Sequence, residues 1–318
     1  MGSQRYLNLF VLVMVNLLWA LQFPAYKIAS EHMGVVNLNF WTFVSATAVL
    51  LPFFWIERRR HAAARPAASR AVRRSGWGFL LMGTAGIIPP SIFLTWGIAH
   101  STAANAAIIS LIIPVLTALM AVAMLGERMT RVRWFSFALA IAGTILISGI
   151  GLSGSFFVGS LLVGNIVIFC AWMGSAFYNT YSKKLLAQFS ELEVLVYSYG
   201  VACAVIGGMS LFLSRRPLYA MAGYPWVAWG AILVLGPVAW GIAMVLWMWV
   251  LKRLDVSQIS VSIYLLPLFG VLLSAITLHE KLTLSELLGG GLVLIGTFLT
   301  TEWETRQLAK QQRPEPVV

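Results

Sequence analysis

Acidic residues are scarce. Asp and Glu together number 11 in 318 residues against 22 Lys and Arg, and charged residues make up 10% of the chain, far below the roughly 25% of ordinary soluble domains. With 59% of residues apolar or aromatic, a water-soluble globular protein is excluded. Cysteine is nearly absent as well: Cys170 and Cys203 both lie inside apolar runs, which provides neither a disulfide framework nor a thiolate metal site. The histidines, His32, His61, His100 and His279, form no His-Glu-x-x-His or other ligand spacing. No Walker A sequence is present, which excludes ATP-driven transport within this chain, and no Gly-x-Ser-x-Gly elbow marks a buried serine hydrolase. The sequence therefore predicts no enzyme, no metal and no cofactor. Nor does the excess of positive charge suggest nucleic acid, because a phosphate-binding face needs Lys and Arg spread over a folded surface.

What the chain has instead is long apolar runs. Helices and closed barrels are the structures that satisfy their backbone in lipid, and runs of about 20 residues without period-2 alternation select helices. Ten such spans are read, at about 6–26, 36–56, 77–98, 103–125, 132–150, 159–181, 193–213, 226–250, 256–278 and 284–301. The first is too long for a signal peptide and lacks a small-residue cleavage site, so it is expected to be retained. Placing the N-terminus in the cytoplasm puts 18 of the Lys and Arg residues on the inner side and leaves Lys27, Arg215, Arg216 and Lys281 outside, as the positive-inside rule requires. Both termini are thus expected to be cytoplasmic in a bacterial inner membrane.

The second half repeats the first. At a constant offset of 153 positions, Trp19 falls on Trp172, Gly83 on Gly236, Trp96 on Trp249, Pro114 on Pro267, Glu127 on Glu280 and Thr130 on Thr283. Charged, Pro and Trp coincidences at one offset are hard to obtain by chance. Residues 1–150 and 151–302 are read as two five-helix repeats, followed by a cytoplasmic tail, 303–318. An odd number of spans per copy makes the second copy start from the opposite side, which gives an inverted repeat, the architecture of alternating access.

No span carries an evident mid-depth Asp, Glu, Lys or Arg. An ion-driven pump usually needs a buried ionisable relay, so the absence favours a facilitator or exchanger, unless coupling runs through a group such as His100. The uncharged polar residues are then the pointers to a solvated path. Asn16, Trp19, Gln22, Phe23 and Tyr26 recur at steps of three and four, one helix face; Trp172, Ser175 and Asn179 repeat Trp19, Gln22 and Tyr26 in the sixth span. Asn105 maps onto Gln258, with Ser262 a turn beyond and Tyr264 as a further wall. Amides and hydroxyls orient a zwitterion while Trp and Tyr offer flat apolar contact. The expected binding residues are Trp19, Gln22, Tyr26, Asn105, Trp172, Ser175, Asn179, Gln258, Ser262 and Tyr264. A lone Asn or Ser can equally act as interhelical glue, at about 0.6 kcal/mol, an alternative that stays open for Asn16, Ser175 and Ser262. Pro114 and Pro267 are the hinge candidates, and Glu127 and Glu280 are read as structural or gating groups that pair with an adjacent cation or a helix N-terminus. Lys27 could meet a carboxylate or snorkel to headgroups. Trp41, Trp77, Trp226, Trp247 and Tyr219 are assigned to the interfacial belt or to lipid.

The run Ala103-Ala104-Asn105-Ala106-Ala107, followed by Ile113-Pro114-Val115 and Leu125-Gly126-Glu127-Arg128-Met129-Thr130, resembles the fourth-helix signature of the EamA-type transporters of the drug/metabolite transporter superfamily. Its counterpart is Leu266-Pro267-Leu268 through Leu278-His279-Glu280-Lys281-Leu282-Thr283, and Leu18-Trp19-Ala20-Leu21-Gln22-Phe23 resembles that family's first helix. The resemblance runs from about residue 8 to 301. It implies ten helices, a central cavity between the halves, and export or exchange of small metabolites such as amino acids.

Together these readings predict an all-α polytopic membrane protein with ten transmembrane helices in two inverted five-helix repeats. Its expected work is to export or exchange small neutral or zwitterionic metabolites, amino acids including aromatic ones first, by alternating access. A drug or nucleotide-sugar carrier and a channel-like passive facilitator are the alternatives. The expected partners are a small-molecule substrate and the lipid bilayer, without nucleic acid, in a monomer or homodimer.

Overall fold

The computed structural model describes residues 2–60, 75–100, 109–110, 112–147, 159–213 and 223–266, with isolated helical positions between 268 and 299. Among the described residues there is helix and no strand, and five helices are long and apolar enough to cross a membrane: Tyr6–Ser30, Val35–Arg60, Gly76–Ala99, Glu191–Phe212 and Trp226–Leu251. The chain is therefore a polytopic helical membrane protein.

The first span consists of α1 (Gly2–Ala20) and α2 (Gln22–Ser30). They part at Leu21 because Pro24 has no N–H to offer the Ala20 carbonyl four residues back. The second span is α3 (Val35–Arg60), which ends on Arg58, Arg59 and Arg60, cations placed where the helix dipole favours them. The third opens as α4 (Gly76–Leu81), widens to π-helical turns at Met82–Gly86 and Pro89–Phe93, and closes as α5 (Leu94–Ala99). Pro89 and Pro90 remove two i→i−4 donors, which is what lets the backbone widen there.

Beyond it lie α6 (Ile112–Leu125), α7 (Arg131–Ile147), α8 (Gly159–Leu186) and α9 (Glu191–Leu213). Gly126, at φ 71°, ends α6 in the left-handed conformation that a Cβ would oppose, and Glu127 N–H closes the turn on the Ala121 carbonyl at 3.4 Å. The start of α9 is a capping box: Ser190 N–H donates to Glu193 Oε2 at 3.1 Å and Glu193 N–H to Ser190 Oγ at 3.2 Å. The next span is α10 (Trp226–Leu233), a π-helical stretch Val234–Ile242 containing Pro237, and α11 (Ala243–Leu251); α12 (Val256–Ser260) then runs into a 3-10 turn, Val261–Tyr264.

Two of the close glycine crossings that hold the bundle are related by the repeat. A Cβ at Gly83 would lie 2.5 Å from Val201 and 2.8 Å from the Ser198 carbonyl of α9, while one at Gly236 would land on Ser45 and 2.6 Å from the Thr42 carbonyl of α3. The crossings are reciprocal in sequence, since Gly83 and Gly236, like Ser45 and Ser198, stand 153 apart. So do the π-helical stretches, because Met82–Phe93 shifted by 153 overlaps Val234–Ile242. Packing of this kind requires glycine at the contact, for lipid supplies no hydrophobic force between helices and backbones must approach closely to gain dispersion energy.

Candidate functional site

The cavity lies where these spans meet. Trp19 and Gln22 approach from the first span, Gly86, Pro90 and Leu94 from the third, and Ser110 and Ile113 from the fourth. Trp172, Ser175, Tyr178 and Asn179 face them from α8, and Ala239, Trp240 and Met244 with Ile263 and Leu266 complete the wall. About 720 Å³ is free of protein atoms, part of it open to solvent. On α8 the lining residues 172, 175 and 179 share one helix face by their spacing, and a Cβ at Gly174, on the neighbouring face, would lie 2.7 Å from Pro89, so α8 sits tightly against the widened third span. Half of the lining is aliphatic, Gly or Pro and the other half aromatic, amide or hydroxyl, and among the described residues it includes no Asp, Glu, Lys, Arg or His. A net charge entering this space would leave water without a counter-ion; a neutral or zwitterionic solute can be met by the dipoles of Gln22, Ser175 and Asn179.

Five of the expected residues come together here: Trp19, Gln22, Trp172, Ser175 and Asn179. Others stand elsewhere. Tyr26 is buried behind the wall, its hydroxyl accepting from Trp240 Nε1 at 3.2 Å. Ser262 accepts from Asn16 Nδ2 at 3.3 Å and itself donates to the Ile259 carbonyl at 2.7 Å, a bond that joins the first and ninth spans. Gln258 is buried near the start of α12 and does not line the cavity. Tyr264 packs edge-on to Phe137, ring centres 6.4 Å apart, in a separate apolar cluster. The ninth span turns Ile263 and Leu266 inward, while its Ser260 and Ser262 bond to neighbouring helices. Asn105, Pro267 and Glu280 lie outside the described residues. Pro114 is buried in α6, its carbonyl accepting from Ser260 Oγ at 3.4 Å.

Glu127 reaches a helix N-terminus, that of α12: Oε1 accepts from Val256 N–H at 2.8 Å. Beside it, Lys183 Nζ donates to the carbonyls of Leu251 at 2.5 Å and Leu254 at 2.6 Å. Burial pushes the Lys183 ammonium below the usual lysine range, and the carboxylates of Asp255 and Glu127 oppose that shift. Lys183 stands one turn beyond Asn179 on α8.

Trp247 departs from expectation. It is fully buried, 5.1 Å from Trp19 between ring centres, instead of facing the belt or lipid; its helix is apolar all round, so hydropathy could not tell which side faced in. Trp77 and Trp226 are exposed, as a belt position requires, whereas Trp41 is half-buried against Trp229 at 5.7 Å. Three polar or aromatic lining residues are not among those expected: Ser110, Tyr178 and Trp240. The repeat could not reveal the last two, because Tyr178 corresponds to Ala25 and Trp240 to Ile87.

This architecture is that of a polytopic helical membrane protein. The chain belongs to the EamA-like transporter family, whose profile matches residues 7–149 and again residues 162–302. It is 28% identical over 291 residues to a probable terminal-alkyne amino-acid exporter of Streptantibioticus cattleyicolor, with 91% of each chain covered. It is 25% identical over 309 residues to an uncharacterized transporter of Archaeoglobus fulgidus, covering 95% of this chain and 98% of that one. A crystal structure superposes with a TM-score of 0.73 over 93% of this chain and 98% of the other at 18% identity, a likeness of fold alone. The protein is a transporter.

Proposed function

We propose that the chain is a secondary transporter that exports or exchanges small neutral or zwitterionic metabolites across the bacterial inner membrane, with amino acids, aromatic or otherwise unsaturated, as the leading class. The observation that carries this reading is the cavity lining, in which three indoles and a phenol stand with Gln22, Ser110, Ser175 and Asn179 among aliphatic residues and formal charge is absent among the described lining residues. Nucleotide sugars need cations at cavity depth for their phosphates, which disfavours that alternative. The amino-acid exporter among its relatives supports the substrate class. Two family matches and two reciprocal glycine crossings support halves 1–150 and 151–302 that rock against one another, with both termini and the tail 303–318 cytoplasmic. Pro114 and Pro267 are hinge candidates in this scheme, and Glu127 and Glu280 gate the two ends.

Counterflow in proteoliposomes tests the proposal. Vesicles loaded with an unlabelled amino acid should accumulate the labelled one with saturation, across a panel of amino acids, sugars, purines and nucleotide sugars. Counterflow confined to nucleotide sugars would overturn the substrate class, and flux that rises without saturation would replace the carrier by a passive pore.

A further inference from the structure

Trp240 is held at the cavity by residues that stand behind it. It stands on the π-helical stretch Val234–Ile242 and lines the cavity, a place where an aromatic side chain with open space beside it would be free to swing. Three residues outside the cavity prevent that. Tyr26, from the first span, accepts from Trp240 Nε1 at 3.2 Å. Tyr199, from α9, donates its hydroxyl to the Trp240 carbonyl at 2.6 Å. Phe43, from α3, packs on the indole with ring centres 4.8 Å apart, and the Tyr199 ring adds an edge contact at 6.2 Å.

Both tyrosines are buried, Tyr26 at 5% and Tyr199 at 0% exposure, and neither lines the cavity. A phenol taken out of water needs a hydrogen-bond partner, and both find theirs on the same residue. Trp247, two turns further along the same span, makes the contrast: it too is fully buried, yet it does not line the cavity and its Nε1 has no partner. Burial alone does not bring an indole such anchors.

We propose that Trp240 is a specificity-determining wall of this cavity, and that Tyr26 and Tyr199 are positioning residues that fix it from behind; the inference rests on the substrate-binding reading of the cavity given above. A wall set before the solute arrives admits side chains of one shape and does not adapt to others, whereas a loosened wall accommodates both at lower discrimination. Tyr26 then acts through Trp240 and not on the solute.

The test is a double-mutant cycle in proteoliposomes with labelled L-phenylalanine and L-valine as probes. Tyr26→Phe keeps the ring and removes the acceptor. It should change the ratio of the two KM values by about fivefold, the worth of one ordinary hydrogen bond, with the maximal rate within about twofold. In a Trp240→Phe background, Tyr26→Phe should change the ratio no further. An equal effect in both backgrounds would place Tyr26 on the solute itself and overturn the proposal. A second measurement does not depend on the substrate. In protein labelled with 5-fluorotryptophan and held in detergent, the 19F resonance that Trp240→Phe removes should move in Tyr26→Phe, while those assigned to the exposed Trp77 and Trp226 stay in place. A Trp240 resonance unmoved by Tyr26→Phe would sink the positioning role; absence of amino-acid counterflow with that resonance moved would sink the transport reading alone.

Discussion

Trp19 and Trp172 stand 153 positions apart and face one cavity from opposite halves of the chain. Large aromatic contacts concentrate binding energy, so Trp19→Ala and Trp172→Ala should each raise KM about tenfold in counterflow while membrane insertion is unchanged; wild-type flux in both would remove them from the site. Lys183 makes a prediction of a different kind. Burial lowers its pKa in the folded chain below the ordinary 10.5, so between those two values the unfolded chain binds the extra proton and stability rises with pH. Thermal unfolding in detergent should therefore show the wild type gaining on Lys183→Met as pH climbs toward 10.5, and a constant difference would contradict the burial. At this scale the sequence was readable where chemistry was shared between the halves. Residues on one side only, such as Trp240 and Tyr178, gave no such signal. Polarity alone left Ser262 open, because a hydroxyl in lipid meets the same need by bonding to a neighbouring helix as by lining a path.

Among the helices, hydropathy shows that a span exists but not how it faces, which is why Trp247 looked like a lipid contact. The π-helical stretches were hidden apart from their prolines, since widening depends on which carbonyls lose donors and on what packs behind them. The glycine crossings carry the clearest consequence. Gly83→Ala and Gly236→Ala each place a methyl against backbone and side chain of a neighbouring span, an overpacking that costs about 1–3 kcal/mol. Both should lower the unfolding temperature in detergent, whereas Gly230→Ala, with open space around its Cβ position, should not. Glu127 offers a finer comparison. Its carboxylate caps Val256 N–H from another helix, and a lost cap typically costs about 0.5–2 kcal/mol. Glu127→Gln retains an oxygen acceptor and should keep most of the stability that Glu127→Ala loses; equal losses would mean that charge, not the hydrogen bond, sustains the contact.

For the molecule as a whole, the proposed mechanism depends on an odd number of spans in each half. Four spans precede Arg128 and six precede Lys184 in the expected topology, both even, so both residues must share a side with the N-terminus. The fold is consistent with this, for Glu127 reaches Val256 while Lys183 reaches Leu254, which brings the ends of α6, α8 and α11 to one face of the bundle. Trp226, at 90% exposure, begins the eighth span at the opposite face. Single cysteines at Arg128, Lys184 and Trp226, in a background with Cys170 and Cys203 replaced by Ser, separate the possibilities. A membrane-impermeant maleimide should label the first two in inside-out vesicles only, and the third in right-side-out cells only. Labelling of Arg128→Cys and Lys184→Cys from different sides would make the halves parallel, and two parallel halves cannot exchange conformations to carry one cavity from inward-open to outward-open.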